Sequence, residues 1–276
     1  MMRLAALLAA LARPAACDLD YSRLHIVDVF HPMHDGPVNL LVRSNQPNNA
    51  SGFDIEALQR DIAKRAQELP GLHVGYPLYI QDVSLDNDLN KGFAQEKAFW
   101  EEPGSKQYGS FTNWPLGTAG VLPPSAYDVA KRRELLKTTV WAVDKLPSRI
   151  DKLHQMMVRP SPLPGRSTAT LVHCTAGCDR TGEVIGAYRM AYGGLAADGS
   201  FLSRATTTQM YGLDTSECGR SPNYWSTSAL EWWCFECLYN RNITAGNCTQ
   251  FASCQPLKHG QPCQPCTPNA TTTCKV

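Results

Sequence analysis

"LVHCTAGCDRTG", running from Leu171 to Gly182, decides how this chain is read. The aliphatic and β-branched run "ATLVHC" ends in a cysteine, with a glycine three residues on and an arginine six residues on. The helix pattern "RTGEVIGAYRMAYGG" then begins at once and closes on Gly193 and Gly194. Strand, tight loop and helix in that order make a concave anion site, because the loop's backbone N–H groups point inward and the helix N-terminus adds partial positive charge. Gly177 supplies the backbone freedom such a nest needs. Arg180 adds a planar fork that grips two phosphate oxygens together, which a lysine cannot do. The same positive field favours the thiolate of Cys174, so a nucleophile stands where the arginine would hold an anion.

Outward from this stretch, strands and helices alternate. "LHIVDVF" and "VNLLVRS" read as strands, and "FDIEALQRDIAKRAQEL" as a helix with Asp54 as N-cap and Ile55, Leu58, Ile62 and Leu69 on its apolar face. "HVGYPLYI" reads as a strand, and the stretch from Asp86 to Gly120 as loop-rich. "AYDVAKRRELLKTTVWAV" places Val129, Leu136, Val140 and Val143 on one helical face, although "TTVWAV" alone also suits a strand. Ser148 is expected to cap a further helix carrying Ile150, Leu153, Met156 and Met157, and "NYWSTSALEWWCFECLYN" to cover the core as a last helix. The expected class is α/β, a central sheet flanked by helices.

The chain has 276 residues, 43% of them apolar, with 26 basic against 25 acidic side chains. That balance carries no electrostatic footprint for nucleic acid. "MMRLAALLAALARPAAC" has a basic Arg3, an apolar run too short to span a bilayer and a small-residue tract, and reads as a secretory signal over residues 1–16. No later run is long enough for an integral membrane segment. Sequons at Asn49, Asn242, Asn247 and Asn269 fit a secreted glycoprotein. Of the eleven cysteines, seven lie between Cys234 and Cys274, in a stretch too poor in aliphatic residues to form a core by burial. Residues 17–240 are therefore expected to form the main domain and 241–276 a disulfide-rich tail. The pairs Cys234/Cys237 and Cys263/Cys266 offer four thiolates to zinc, but an oxidising compartment favours disulfides.

"HCTAGCDRTG", His173 to Gly182, resembles the H-C-x-x-G-x-x-R-[ST]-G signature of the cysteine-dependent protein tyrosine and dual-specificity phosphatases. The resemblance implies a protein-tyrosine-phosphatase-like fold and metal-free, cofactor-free hydrolysis of a phosphomonoester on a phosphorylated protein or small molecule. It implies that Cys174 forms a phosphocysteine and that Arg180 binds and stabilises the transferring group. Thr181 would hydrogen-bond the departing sulfur and His173 would support the loop. Thr175, Ala176, Gly177, Cys178, Asp179, Arg180 and Thr181 would line the phosphate. Asp179 before the arginine is similar to the D-R-T pattern of phosphoinositide phosphatases and of broad-specificity bacterial phosphatases, which often carry lysine where this chain has Cys178. Relatives place a general acid on an upstream W-P-D loop. Here "FTNWPLGTAG" puts Leu116 at that position, leaving Asp179 and Asp144 as candidates, with a loop brace as the alternative role of Asp179. A phosphate-binding protein without turnover is the competing class. Catalysis also requires Cys174 to stay free. The even number of remaining cysteines then favours Cys178 bonded to a distant partner such as Cys218 over a reversible Cys174–Cys178 bond.

Overall fold

The computed structural model describes residues 19–33, 36–116, 122–196, 198–202, 207–221 and 223–240. The expected signal and tail, with the sequons at Asn242, Asn247 and Asn269, lie outside them. Five strands form a mixed sheet in the order β1 (His25–Phe30), β2 (Asn39–Asn45), β7 (Thr168–Cys174), β5 (Tyr79–Ser84), β6 (Gly109–Asn113). Only β1 runs antiparallel to its neighbour. Two small ladders, β3 (Asn48–Asn49) with β4 (Gly52–Phe53) and β8 (Gly194–Leu195) with β9 (Phe201–Leu202), lie outside it. Around the sheet stand α1 (Ile55–Gln67), α2 (Phe93–Glu101), α3 (Val129–Thr138), α4 (Leu146–Val158), α5 (Asp179–Tyr192), α6 (Thr207–Cys218) and α7 (Tyr224–Asn240).

The strand period of two divides the core. Leu40, Val42, Ala169 and Leu171 pack on one face against Leu58 and Ile62 of α1 and Trp100 of α2. Leu41, Val83 and Val172 pack on the other against α4, α5 and α7, through Ile150, Val184 and Trp233 among others. β7 is buried along its whole length because both faces are covered. Its C-terminal end, between the ends of β2 and β5, opens the crevice in which α/β proteins bind ligands. No helix of the described residues is long and apolar enough to cross a membrane.

Asp54 caps α1 as expected, accepting from the Ala57 N–H at 2.9 Å. Elsewhere the elements differ from the pattern. The region expected to be loop-rich holds α2 and β6, hidden because α2 turns Glu96 inward between Phe93 and Trp100 and so lacks an apolar stripe. β5 starts only at Tyr79. α3 ends at Thr138, and Val143, expected on its apolar face, is 55% exposed beyond it. α4 begins at Leu146, so Ser148 lies inside the helix; Asp144 instead accepts the Leu146 N–H at 3.0 Å.

Candidate active site

Cys174 is the last residue of β7, 2% exposed and a free thiol. The loop after it is shaped from outside. Gly177 has φ +68°, and a Cβ there would sit 2.4 Å from the Ser44 carbonyl oxygen, so the close approach to β2 needs glycine as much as the backbone conformation does. Arg23 Nη1 donates to the Ala176 carbonyl at 2.7 Å and Arg43 Nη2 to the Gly177 carbonyl at 2.9 Å. A trans peptide sets its N–H opposite its C=O, so the grip of Arg43 on Gly177 turns the Cys178 N–H to the other side. Neither Arg23 nor Arg43 carried a local signal, since each acts across the fold.

Arg180 lies in the first turn of α5, its side chain 16% exposed. Nη1 donates to the Leu85 carbonyl at 3.0 Å and Asn90 Oδ1 at 2.9 Å, and Nη2 pairs with Asp86 Oδ1 at 2.8 Å. Nε donates to no group among the described residues. Asp86, just past β5, is fully buried, and its Oδ1 also accepts from Thr175 N at 3.1 Å and Thr175 Oγ1 at 2.8 Å. One carboxylate thus ties the first loop residue to the arginine, while its Oδ2 is buried without a partner among the described residues. Sequence reasoning missed Asp86. No local signal marked it, since its role exists only where β5 lies beside β7.

Beneath the loop, His173 Nε2 lies 2.9 Å from Asp82 Oδ1 and 3.1 Å from Glu96 Oε1, all three residues fully buried. Burial opposes the imidazolium, but Glu96 and Asp82 outweigh it and raise His173 well above its ordinary range. Burial pushes Asp82 up to about 6. Burial also works to raise Glu96, but the His173 charge and its hydrogen bonds hold it below its ordinary value. The three ligand atoms lie within 4.8 Å of one another, as a metal site would require. The outer oxygens accept from Trp100 Nε1 and Gln46 Nε2, so the donor set is arranged around a shared proton.

Asp179 opens α5 with its carboxylate held by both terminal nitrogens of Arg220 and by the Asn223 N–H at 2.9 Å. Its carbonyl accepts from Ser226 Oγ at 2.7 Å. Next to it, Cys178 is disulfide-bonded to Cys218, Cα–Cα 5.4 Å, the partner named from the sequence. Cys234 is disulfide-bonded as well. Thr181 is buried and its hydroxyl has no partner among the described residues.

Leu116, the residue after Trp114 and Pro115, is buried in one core cluster with Cys174, Leu85 and Trp114. Arg149 Nη1 donates to the carbonyls of Trp114 at 3.4 Å and Pro115 at 3.2 Å, joining that segment to α4. Asp144, just before α4, is pushed up to about 6 by burial, which the Leu146 N–H and the Arg149 charge only partly offset. Comparison with protein-family models and with curated proteins finds no match to this chain.

Proposed function

We propose that this chain is a secreted, cysteine-dependent phosphatase that hydrolyses phosphomonoesters through a phosphocysteine, on a protein-tyrosine-phosphatase-like fold. The observation that carries the reading is the free Cys174 thiol at the end of the central strand, six residues before an Arg180 whose Nη atoms are anchored by Asp86, Leu85 and Asn90 and whose Nε donates to no group among the described residues. Arg180 orients the phosphoryl group and stabilises its charge in the transition state. The Cys174 thiolate attacks phosphorus, the ester P–O bond breaks, and the leaving oxygen takes a proton from Asp144. Water then attacks phosphorus, the S–P bond breaks, its proton returns to Asp144, and Thr181 donates to the departing thiolate.

Asp144 suits the acid better than Asp179 because burial holds its proton into the range where catalysis runs, whereas three N–H donors occupy the Asp179 carboxylate. Asp179 then serves as the loop brace. Phosphotyrosine or dual-specificity protein substrates are preferred to inositol phosphates, because Cys178 is committed to its disulfide and presents no cation where relatives carry lysine. The same disulfide suits an oxidising compartment.

The test is hydrolysis of an aryl phosphate by the purified chain beside Cys174→Ser. Turnover that disappears in the variant is expected. Phosphate binding with no turnover in either protein would make the chain an inactive binder, and turnover that survives Cys174→Ser would reject the mechanism.

A further inference from the structure

We propose, building on the phosphatase reading above, that Lys145, Arg149 and Lys152 form a cationic rim that docks an acidic segment flanking the phosphorylated residue of a protein substrate. The three recur at i, i+4 and i+7 from the cap of α4 onward, the spacing of one helical face. Two of them fix where that face looks: the Arg149 guanidinium and the Lys152 Nζ each lie 5.8 Å from the centre of the Trp114 ring. Trp114 is the first residue after β6, and the segment it opens leads to Arg180. Leu116 N donates to the Leu85 carbonyl at 3.3 Å, the same carbonyl that accepts Arg180 Nη1 at 3.0 Å. Residues 114–116 therefore join Arg180 on one side to the cations of α4 on the other.

Positive charge here exceeds what the fold uses. Lys145 and Lys152 are exposed, and neither pairs with a carboxylate among the described residues. Arg149 Nη1 donates to two carbonyls, which leave the arginine's charge unneutralised. The carboxyl groups that act on Arg149 are those of Asp144 and Glu183, and burial holds both toward the neutral acid. Lys145 adds a second observation. It is the only non-glycine residue with positive φ among the described residues, at +52°, a conformation that glycine or asparagine adopts at lower cost. Its N–H donates to the Trp141 carbonyl at 3.2 Å, and its carbonyl accepts from Arg149 N at 3.1 Å and Ser148 Oγ at 3.0 Å. The backbone is thus held from both sides, and the turn asks nothing of the ammonium group; an anionic ligand would.

The rim also suits a chain better than a ring. From Lys145 to Lys152 the helix rises about 10 Å, the span of about three residues of an extended peptide. An inositol phosphate gathers its charges about one ring, whereas these cations stand in a row. Exposed ion pairs contribute little each and are screened by salt, so the rim selects among substrates and leaves the chemical step alone.

The experiment measures kcat and KM for two phosphotyrosyl peptides, one with glutamate on both sides of the phosphotyrosine and one with glutamine there, in wild type and in the double variant Lys145→Asn, Lys152→Gln. Both replaced side chains are exposed, and asparagine suits the left-handed backbone at 145, so the fold is kept. Wild type is expected to favour the glutamate peptide by about 3- to 10-fold in kcat/KM, almost all of it in KM, with the preference fading between about 0.05 and 0.5 M salt. The double variant should lose that preference while hydrolysing phenyl phosphate as before. Equal use of the two peptides by active wild type, or a preference that the double variant retains, would overturn the proposal. So would a lysine-dependent preference for an inositol polyphosphate over the glutamate peptide, or lysine-dependent binding to phosphatidylserine vesicles with no discrimination between the peptides. Fluorescence anisotropy of labelled peptides on full-length Cys174→Ser supplies a reading independent of turnover: the glutamate peptide should bind more tightly, and equal affinities overturn the rim. Absence of Cys174-dependent hydrolysis in wild type, with the binding preference intact, would strike the parent mechanism alone.

Discussion

Asp179 and Arg220 close on each other side by side, both terminal nitrogens of the guanidinium on the one carboxylate. The pair lies next to the Cys178–Cys218 disulfide, so two adjacent links fasten the segment after α6 to the head of α5. Asn223 N and Ser226 Oγ extend the seam along the same residue. On the proposed reading, a carboxylate held this way fixes the loop, and Asp144 supplies the proton. Asp179→Asn should therefore slow phenyl phosphate and an activated aryl phosphate by the same factor, and Arg220→Ala should reproduce it. Asp144→Asn should slow the phenyl ester by about 10²–10⁴-fold while sparing the activated one. Parallel kcat measurements on the two substrates check this, and a leaving-group-selective defect in Asp179→Asn would reverse the roles.

Arg180 owes its orientation to Asp86, and the two should fail differently. Arg180→Lys removes the bidentate fork and is expected to cost several kcal/mol, on the order of 3–5, mostly in turnover. Asp86→Asn keeps an oxygen for Thr175 but removes the charge facing Arg180. A hydrogen bond to a charged group contributes about 1.5–3 kcal/mol, so turnover should fall by about 10- to 100-fold with a smaller change in KM. Steady-state kinetics with both variants separates them; an Asp86→Asn enzyme with unchanged kcat would show that Arg180 is held adequately by Leu85 and Asn90.

Stability should depend on acid through a different cluster. Arg43 pairs with Asp214 at 2.7 Å and Glu217 at 2.6 Å, and Arg189 with Glu217 at 2.7 Å, all buried. Burial alone would raise Glu217, but Arg43 and Arg189 outweigh it and hold it at about 2. A depressed carboxylate adds stability that is present above its unfolded value and lost as pH falls toward the folded one, here between about 4.5 and 2. Arg43→Met should cost about 3–5 kcal/mol, because it leaves buried carboxylates uncompensated and frees the Gly177 carbonyl. Denaturant midpoints from pH 2 to 7 check both; a wild-type midpoint flat across the acid range would remove Glu217 from the account.

Cys174, Gly177 and Arg180 were legible in the sequence because a thiol, a left-handed turn and a guanidinium fork at fixed short spacing form one contiguous piece of chain. The α/β class was legible for the same local reason: the strand and helix periods of β2, α1, β7 and α5 are unbroken. Asp86 was not, since its role exists only where β5 lies beside β7, and nothing within "SLDND" distinguishes it from a turn aspartate. Glu96 hid α2 for a related reason, a charged residue turned inward to meet His173. Residues that act across the fold leave little local trace.

The two loop cysteines differ in their bonding, one in a disulfide and one a free thiol, and this gives the last prediction. Cys178 is joined to Cys218 at a separation of 40 residues, while Cys174, four residues earlier, remains a buried free thiol. Closing a loop of that length restricts the unfolded chain by about 4 kcal/mol in the chain-entropy picture. The link also anchors the segment that carries Arg220, and it occupies the sulfur closest in sequence to Cys174. Replacing both partners by alanine should therefore lower stability by an amount of that order and lower turnover further through a loosened Asp179–Arg220 seam. Removing the link by Cys218→Ala alone should do more harm, because it frees Cys178 to pair with Cys174 under mild oxidation. Alkylation of the native, non-reduced protein followed by peptide mapping provides the direct check: Cys174 should carry the label, and Cys178 should appear only in a peptide linked to Cys218. A labelled Cys178, or a linked Cys174 and Cys178 peptide in active wild-type protein, would show that the disulfide switches the site and does not brace it.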